Sequence, residues 1–155
     1  MLDIYNILEY NIHKVNILDK NRQIATFFSF LSLISGIFIY LILRNDTHFH
    51  SFISEEIKVM FYIHTNKNIF IDFLKYYFTD FLWGMSLTFA LNAVAYSHKK
   101  KSIIIKSVIT FFVGLLFELA QLFGVINGTF DIADIIMYAL AAIITAVINI
   151  NIFKE

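Results

Sequence analysis

Four apolar windows, each about as long as a bilayer is thick, constrain this chain more than any other feature. A helix needs about 20 mainly apolar residues to cross a hydrocarbon core of about 30 Å. In that medium a helix satisfies every backbone N–H and C=O within its own segment. The windows run over residues 24–43, 78–96, 102–126 and 130–150. The first, Ile24 to Leu43, holds no charge and stops at Arg44-Asn45-Asp46; the second stops at His98 and Lys99, Lys100 and Lys101. Composition agrees, since 59% of the residues are hydrophobic and the mean hydropathy of +0.71 lies far above that of a soluble domain. The expected fold is all-α: one membrane domain over residues 1–155, a polytopic integral membrane four-helix bundle.

Two further segments read as amphipathic interfacial helices. Ile4, Leu8, Ile12, Val15 and Leu18 recur at helical spacing ahead of the first span. That leader mixes Asp3, Glu9, Lys14, Asp19 and Lys20 and has no continuous apolar run, so it does not read as a cleaved signal peptide. Between the first and second spans, Phe49, Phe52, Ile53, Ile57, Met60 and Phe61 follow a three-four spacing, with Glu55, Glu56 and Lys58 around the rest of the helix. Tyr76, Tyr77 and Trp83 suit an aromatic belt where the second span begins. Only Asn127, Gly128 and Thr129 separate the last two windows, a turn-forming cluster that makes those helices antiparallel neighbours.

Orientation follows from where lysine and arginine fall. With the N-terminus inside, Lys14, Lys20, Arg22, Lys99, Lys100, Lys101, Lys106 and Lys154 are inner, and Arg44, Lys58, Lys67 and Lys75 are outer. Eight against four of the 12 basic residues predicts a multi-pass protein of the cell membrane with both termini cytoplasmic. The turn at Asn127 then faces outward.

Composition also excludes several classes. The 12 basic and 12 acidic residues cancel without a long basic stretch, so no nucleic acid partner is expected. No cysteine is present to form a disulfide, act as a thiolate or ligate a metal. Without proline, a broken-helix transport site could form only at glycines. His48 and His50 face apart on a helix and read as loop residues, as do His64 and His98 as interfacial ones; Ser86 and Thr88 have no histidine nearby for a triad. No metal site and no cofactor are expected.

The acidic residues, by contrast, are gathered. A charge in a span costs at least about 2.5–3.5 kcal/mol at the helix centre and demands a partner or a wet cavity. Glu118 and Gln121 are three apart on the third helix, and Asp131 and Asp134 three apart at the start of the fourth. Helical rise places Glu118 roughly 12 Å below the end of its span and Asp134 roughly 6 Å below the start of its own. Asp80 lies near the outer end of the second span. Asp80, Glu118, Gln121, Asn127, Asp131 and Asp134 thus converge on one outward-facing ligand-binding pocket. Interhelical hydrogen bonding and N-terminal capping would account for Asp131, but not for a mid-helix Glu118. Clustered carboxylates hold or exchange a proton, or bind a cation.

The run FELAQLFGVINGTFDIADIIMYALAA, Phe117 to Ala142, resembles the signature of the VanZ-like membrane proteins, with Glu118, Gln121, Asp131 and Asp134 as the matching residues. The likeness extends loosely to Asp80 in TDFLWGMSL. Where that family has an Arg in the turn, an Asn one helical turn after the second Asp and then a Gly, this chain has Asn127 and Gly128, Tyr138, and Ala141 or Ala142. The resemblance implies a bacterial cell-envelope protein of a family linked to reduced glycopeptide sensitivity. The pocket is then expected to engage a polar or cationic ligand, such as a cell-wall precursor or lipid head group within the lipid bilayer. Three other functions fit the residues alone: a small proton- or cation-coupled transporter acting as a homo-oligomer, a membrane enzyme on a lipid-linked substrate, and a structural partner subunit.

Overall fold

The computed structural model describes residues 2–43, 69–97 and 99–152, with side chains described at Val15 and from Lys20 onward. Helix α1 spans Leu2–Leu43; α2 spans Ile69–Phe73 and passes through a π-helical turn, Leu74–Phe78, into α3, Thr79–Val94; α4 is Lys100–Leu122 and α5 is Ile132–Ile152. No strand occurs among the described residues. Lys20–Leu43, Lys100–Leu122 and Ile132–Ile152 are each long and apolar enough to cross a membrane, which marks a multi-pass membrane protein.

The second window behaves differently. Helix α3 has 16 residues, and its buried face is Thr79, Leu82, Gly84, Ser86, Thr88, Phe89 and Asn92, largely small or polar. It is lengthened at its start by α2 and the π turn, whose flanking residues Phe73 and Thr79 keep helical dihedrals, so the helix is continuous from Ile69 to Val94. Helix α3 packs against α1, α4 and α5 and is the central element. Its polar character follows from that position, because lipid gives apolar side chains no reason to turn inward and small or polar groups hold the helices together.

The contact of α3 with α1 illustrates this. Ser29 Oγ donates to Ser86 O and Ser86 Oγ donates to Ser29 O, both at 3.0 Å. One turn away Ala25 and Phe89 are fully buried, and Phe28 stacks on Phe89 with ring centres 5.4 Å apart. Towards the other end Trp83 lies across Gly36, where a Cβ would stand 3.0 Å from the indole nitrogen. The pairs run in opposite order along the two helices, which are therefore antiparallel. The outward faces of α1, α4 and α5 are apolar and exposed, as at Phe30, Ile34, Phe112, Leu116, Ile143 and Val147.

Two sequence-based assignments change, and one lies outside the described residues. The leader is not a separate interfacial helix: it and the first span form the single 42-residue α1, roughly 63 Å long. No proline or glycine interrupts Asp19 to Gln23, and the helix is anchored there by Asn21 and Arg22. The proposed surface helix over Phe49 to Phe61, with His48, His50, His64 and His98, lies outside the described residues. The third span ends at Leu122 and not at Ile126. Gly124, at φ +67°, stops it: the Val125 N–H reaches Ala120 O at 2.8 Å and the Gly124 N–H reaches Gln121 O at 3.0 Å. This is a Schellman cap, which needs a left-handed residue just past the helix, where any side chain costs roughly 1–2 kcal/mol. With α5 starting at Ile132, the connection is residues 123–131, longer than the three-residue turn the sequence suggested.

Candidate acidic site

The site forms where α3 and α5 begin and α4 ends. Asp80 is in the first turn of α3, just after the π turn, and Asp134 in the first turn of α5. Asp134 occupies the positive end of α5, which favours a carboxylate, whereas Asp80 lies inside the continuous helix that runs from Ile69 to Val94. Glu118 lies one turn before the end of α4, where the helix field opposes negative charge, and it is only 3% exposed. It is held by a backbone donor: the Asp131 N–H donates to Glu118 Oε2 at 3.1 Å. Asp131 in turn accepts the Ala133 N–H on Oδ1 at 2.8 Å and so caps α5.

Tyr138 joins these parts. Its hydroxyl donates to Asp80 Oδ1 at 3.2 Å, and the carboxylates of Asp80, Glu118 and Asp134 all act electrostatically on that one phenol. Tyr138 follows Asp134 by four residues and so shares its face of α5. Its ring fits a slot made by two glycines on different helices. A Cβ at Gly114 of α4 would stand 2.5 Å from Tyr138 Cδ2 and 2.7 Å from Cδ1. A Cβ at Gly84 of α3 would stand 3.3 Å from Cδ1 and 2.8 Å from the Cβ of Ala141. Helices α3 and α4 thus close on the ring only because both positions lack a side chain.

The six residues singled out from the sequence separate into groups. Asp80 is bonded to Tyr138, and Glu118 and Asp134 lie within electrostatic reach of the same phenol. Asp131 is tied in through its own N–H and serves as the cap of α5. Gln121 packs on the connection, since a Cβ at Gly128 would stand 2.6 Å from Gln121 Cδ, and Asn127 is exposed on that connection. Depth is also revised. The earlier end of α4 leaves Glu118 roughly 6 Å from the helix terminus, so its burial comes from packing and not from a position deep along the span. Tyr138 is the residue that sequence reasoning did not place in the site. Its signal was the spacing of four from Asp134, together with two glycines able to seat a ring.

Below this tier the facing sides of α3, α4 and α5 stay small or polar at four-residue spacing. The Thr88 and Thr110 hydroxyls are in hydrogen-bond contact at 3.0 Å, both fully buried. One turn further, Lys106 donates to Asn92 Oδ1 at 3.1 Å and to Ala95 O at the end of α3. On α5, Thr145 and Asn149 are fully buried, and Asn149 Nδ2 donates to Thr145 O at 2.9 Å. The core therefore runs from three carboxylates at one end to one ammonium at the other, with the Tyr138 ring between.

The chemistry of the upper tier is that of an acceptor-rich cluster. Helices α3 and α5 contain no lysine or arginine, and those of α4 are confined to Lys100, Lys101 and Lys106 in its first half. Among the described residues no group of three or more acidic, histidine or cysteine side chains is placed to hold a metal ion. Carboxylates with a phenol hydroxyl suit an ammonium, a hydroxyl donor or a proton. Comparison with models of known families, with curated proteins and with solved structures returns no match for this chain.

Proposed function

We propose that the chain is a VanZ-like protein of the bacterial cell membrane with four spans and both termini cytoplasmic, whose outward acidic pocket binds a polar or cationic head group. The observation that carries this reading is the bond from the Tyr138 hydroxyl to Asp80, with Glu118 and Asp134 of the two other helices in the electrostatic neighbourhood of the same phenol. A purely structural cluster would not need Glu118 at the end of α4 that disfavours its charge. The continuous helix from Ile69 to Val94 supplies the length of the remaining span. Glu118, Gln121, Asp131 and Asp134 are the four residues of the resemblance, and the pocket includes two of them. The basic side chains Lys20, Arg22, Lys99, Lys100, Lys101 and Lys106 stand at the opposite end, as the orientation requires.

Cells of a glycopeptide-sensitive bacterium expressing the chain are expected to tolerate several-fold more of the antibiotic than cells with empty vector. Glu118→Gln and Asp134→Asn, at equal abundance in the membrane, should return tolerance to the vector level. No gain from the natural chain, or full gain from both variants, overturns the reading. Orientation has its own check, because the chain contains no cysteine. A cysteine placed at exposed Asn127 should react with a membrane-impermeant maleimide in intact cells. Reaction only after lysis would reverse the topology.

A further inference from the structure

At the end opposite the acidic pocket, α1 and the last turn of α3 border a groove of about 440 Å³ lined by Arg22, Gln23, Thr26, Phe27 and Ala93. Arg22 is exposed, and its Nε donates to Ala93 O at 3.2 Å. That bond fixes the guanidinium against the negative end of α3 while engaging one of its five N–H groups. Its terminal NH2 groups lie on the exposed side of that bond, at the mouth of the groove. Asn21 Nδ2 donates to Tyr96 Oη at 2.9 Å, which brings the turn after α3 to the same level of α1. Lys20, Lys99, Lys100 and Lys101 are all exposed around that level.

The described side chains of this end carry basic charge. The acidic side chains among the described residues are Asp72, Asp80, Glu118, Asp131 and Asp134, none of them at this end of the helices. From the groove, α1 continues as an exposed apolar strip of Phe27, Phe30, Ile34 and Phe38, at 61%, 59%, 62% and 55% exposure. These positions are spaced three or four apart and lie along one face. A cationic fork at the interface with an apolar track leading into the bilayer matches an amphiphile that carries a phosphate and acyl chains. Basic pockets between helices on the cytoplasmic side hold such head groups.

We infer that the Arg22 groove is a binding site for an anionic phospholipid, with the phosphate on the guanidinium and an acyl chain along Phe27, Phe30 and Ile34. The lysines at the rim raise the local concentration of anionic lipid, and Arg22 provides the directional contact. The inference rests on the membrane reading of the helices and is independent of what the acidic pocket binds.

The test uses the full chain extracted from vesicles of phosphatidylcholine with phosphatidylglycerol, with retained lipid identified by native mass spectrometry. Phosphatidylglycerol should be retained several-fold over its share of the vesicle and should raise the melting temperature. Arg22→Gln should abolish both effects, whereas Lys75→Gln at the other end should leave them unchanged. Gln23→Glu, which puts a carboxylate in the groove without removing the Arg22 bond to Ala93, should also abolish retention and covers the case in which Arg22→Gln does not fold. Glycerol phosphate without acyl chains should not compete. Retention matching vesicle composition, or retention unchanged by Gln23→Glu, overturns the site; competition by glycerol phosphate would reassign it to a soluble phosphate.

Discussion

Gly114→Ala is expected to destabilise the folded chain by about 1–3 kcal/mol, the usual cost of forcing a methyl group into a filled core. The new Cβ would lie 2.5 Å from Tyr138 Cδ2, far inside van der Waals contact, and α3 also approaches the ring closely at Gly84, where a Cβ would stand 3.3 Å from Tyr138 Cδ1. Relief must come from separating α4 from α5 or from turning Tyr138 out. Either response withdraws the hydroxyl from Asp80, so pocket and packing should fail together. The prediction is checked by thermal unfolding of the purified chain in detergent, with Tyr138→Ala and the double variant completing a cycle. Tyr138→Ala alone leaves a cavity costing about 3–5 kcal/mol. In its presence Gly114→Ala should cost little, because the added methyl enters the cavity, and a coupling of about 0.5–3 kcal/mol is the mark of direct contact. Strict additivity would mean that the ring does not occupy the slot. Tyr138→Phe separates the two roles: it keeps the ring between the glycines and removes only the bond to Asp80.

That slot also shows how far the sequence could be read. The apolar windows gave three membrane-length helices because hydropathy over about 20 residues is a property of the chain itself. Asp80, Glu118 and Asp134 were identifiable because charges in apolar helices are conspicuous and helical spacing assigns each a face. Tyr138 was not, since an aromatic residue on an apolar helix reads as core or interfacial belt until its neighbours are known. Gly84 and Gly114 acquire meaning only from a ring contributed by a third helix. The helix ends failed for a local reason. Gly124 and Gly128 both stood in the sequence as possible stops, and the neighbouring Asn127 and Thr129 drew the assignment to the second, whereas the Schellman bonds close at the first. The extension of α3 back to Ile69 was hidden by Asp72 and Lys75, charges that lower hydropathy without interrupting helix formation. The resemblance over Phe117 to Ala142 drew attention to that strip of chain but carried no information about Lys106, twelve residues before Glu118.

Lys106→Met is expected to cost about 1–3 kcal/mol, and to do so at the far end of the helices from the acidic pocket. The ammonium donates to Asn92 Oδ1 and to Ala95 O, and Lys106 is only 6% exposed. Methionine keeps much of the stem but leaves both acceptors without this donor, at about 1–3 kcal/mol for a buried unsatisfied group. An opposing term exists, because a buried cation costs several kcal/mol of hydration and its removal recovers that. The loss of the bonds should dominate here for two reasons. The terminal carbonyls of α3 carry roughly half a negative charge, which already compensates the ammonium. Lys106 also lies two turns from the start of α4, where a four-carbon stem can bring its charge toward the interface. The measurement is hydrogen exchange of the last turn of α3, Leu91 to Ala95, alongside global unfolding: exchange there should speed up more than in α5. A variant as stable as the natural chain would show that hydration recovered outweighs the two bonds. Because Lys106 and Gly114 lie roughly 12 Å apart along α4, their substitutions should add. Departure from additivity would mean that the polar tiers between them, Thr88 with Thr110, transmit strain from one end of the core to the other.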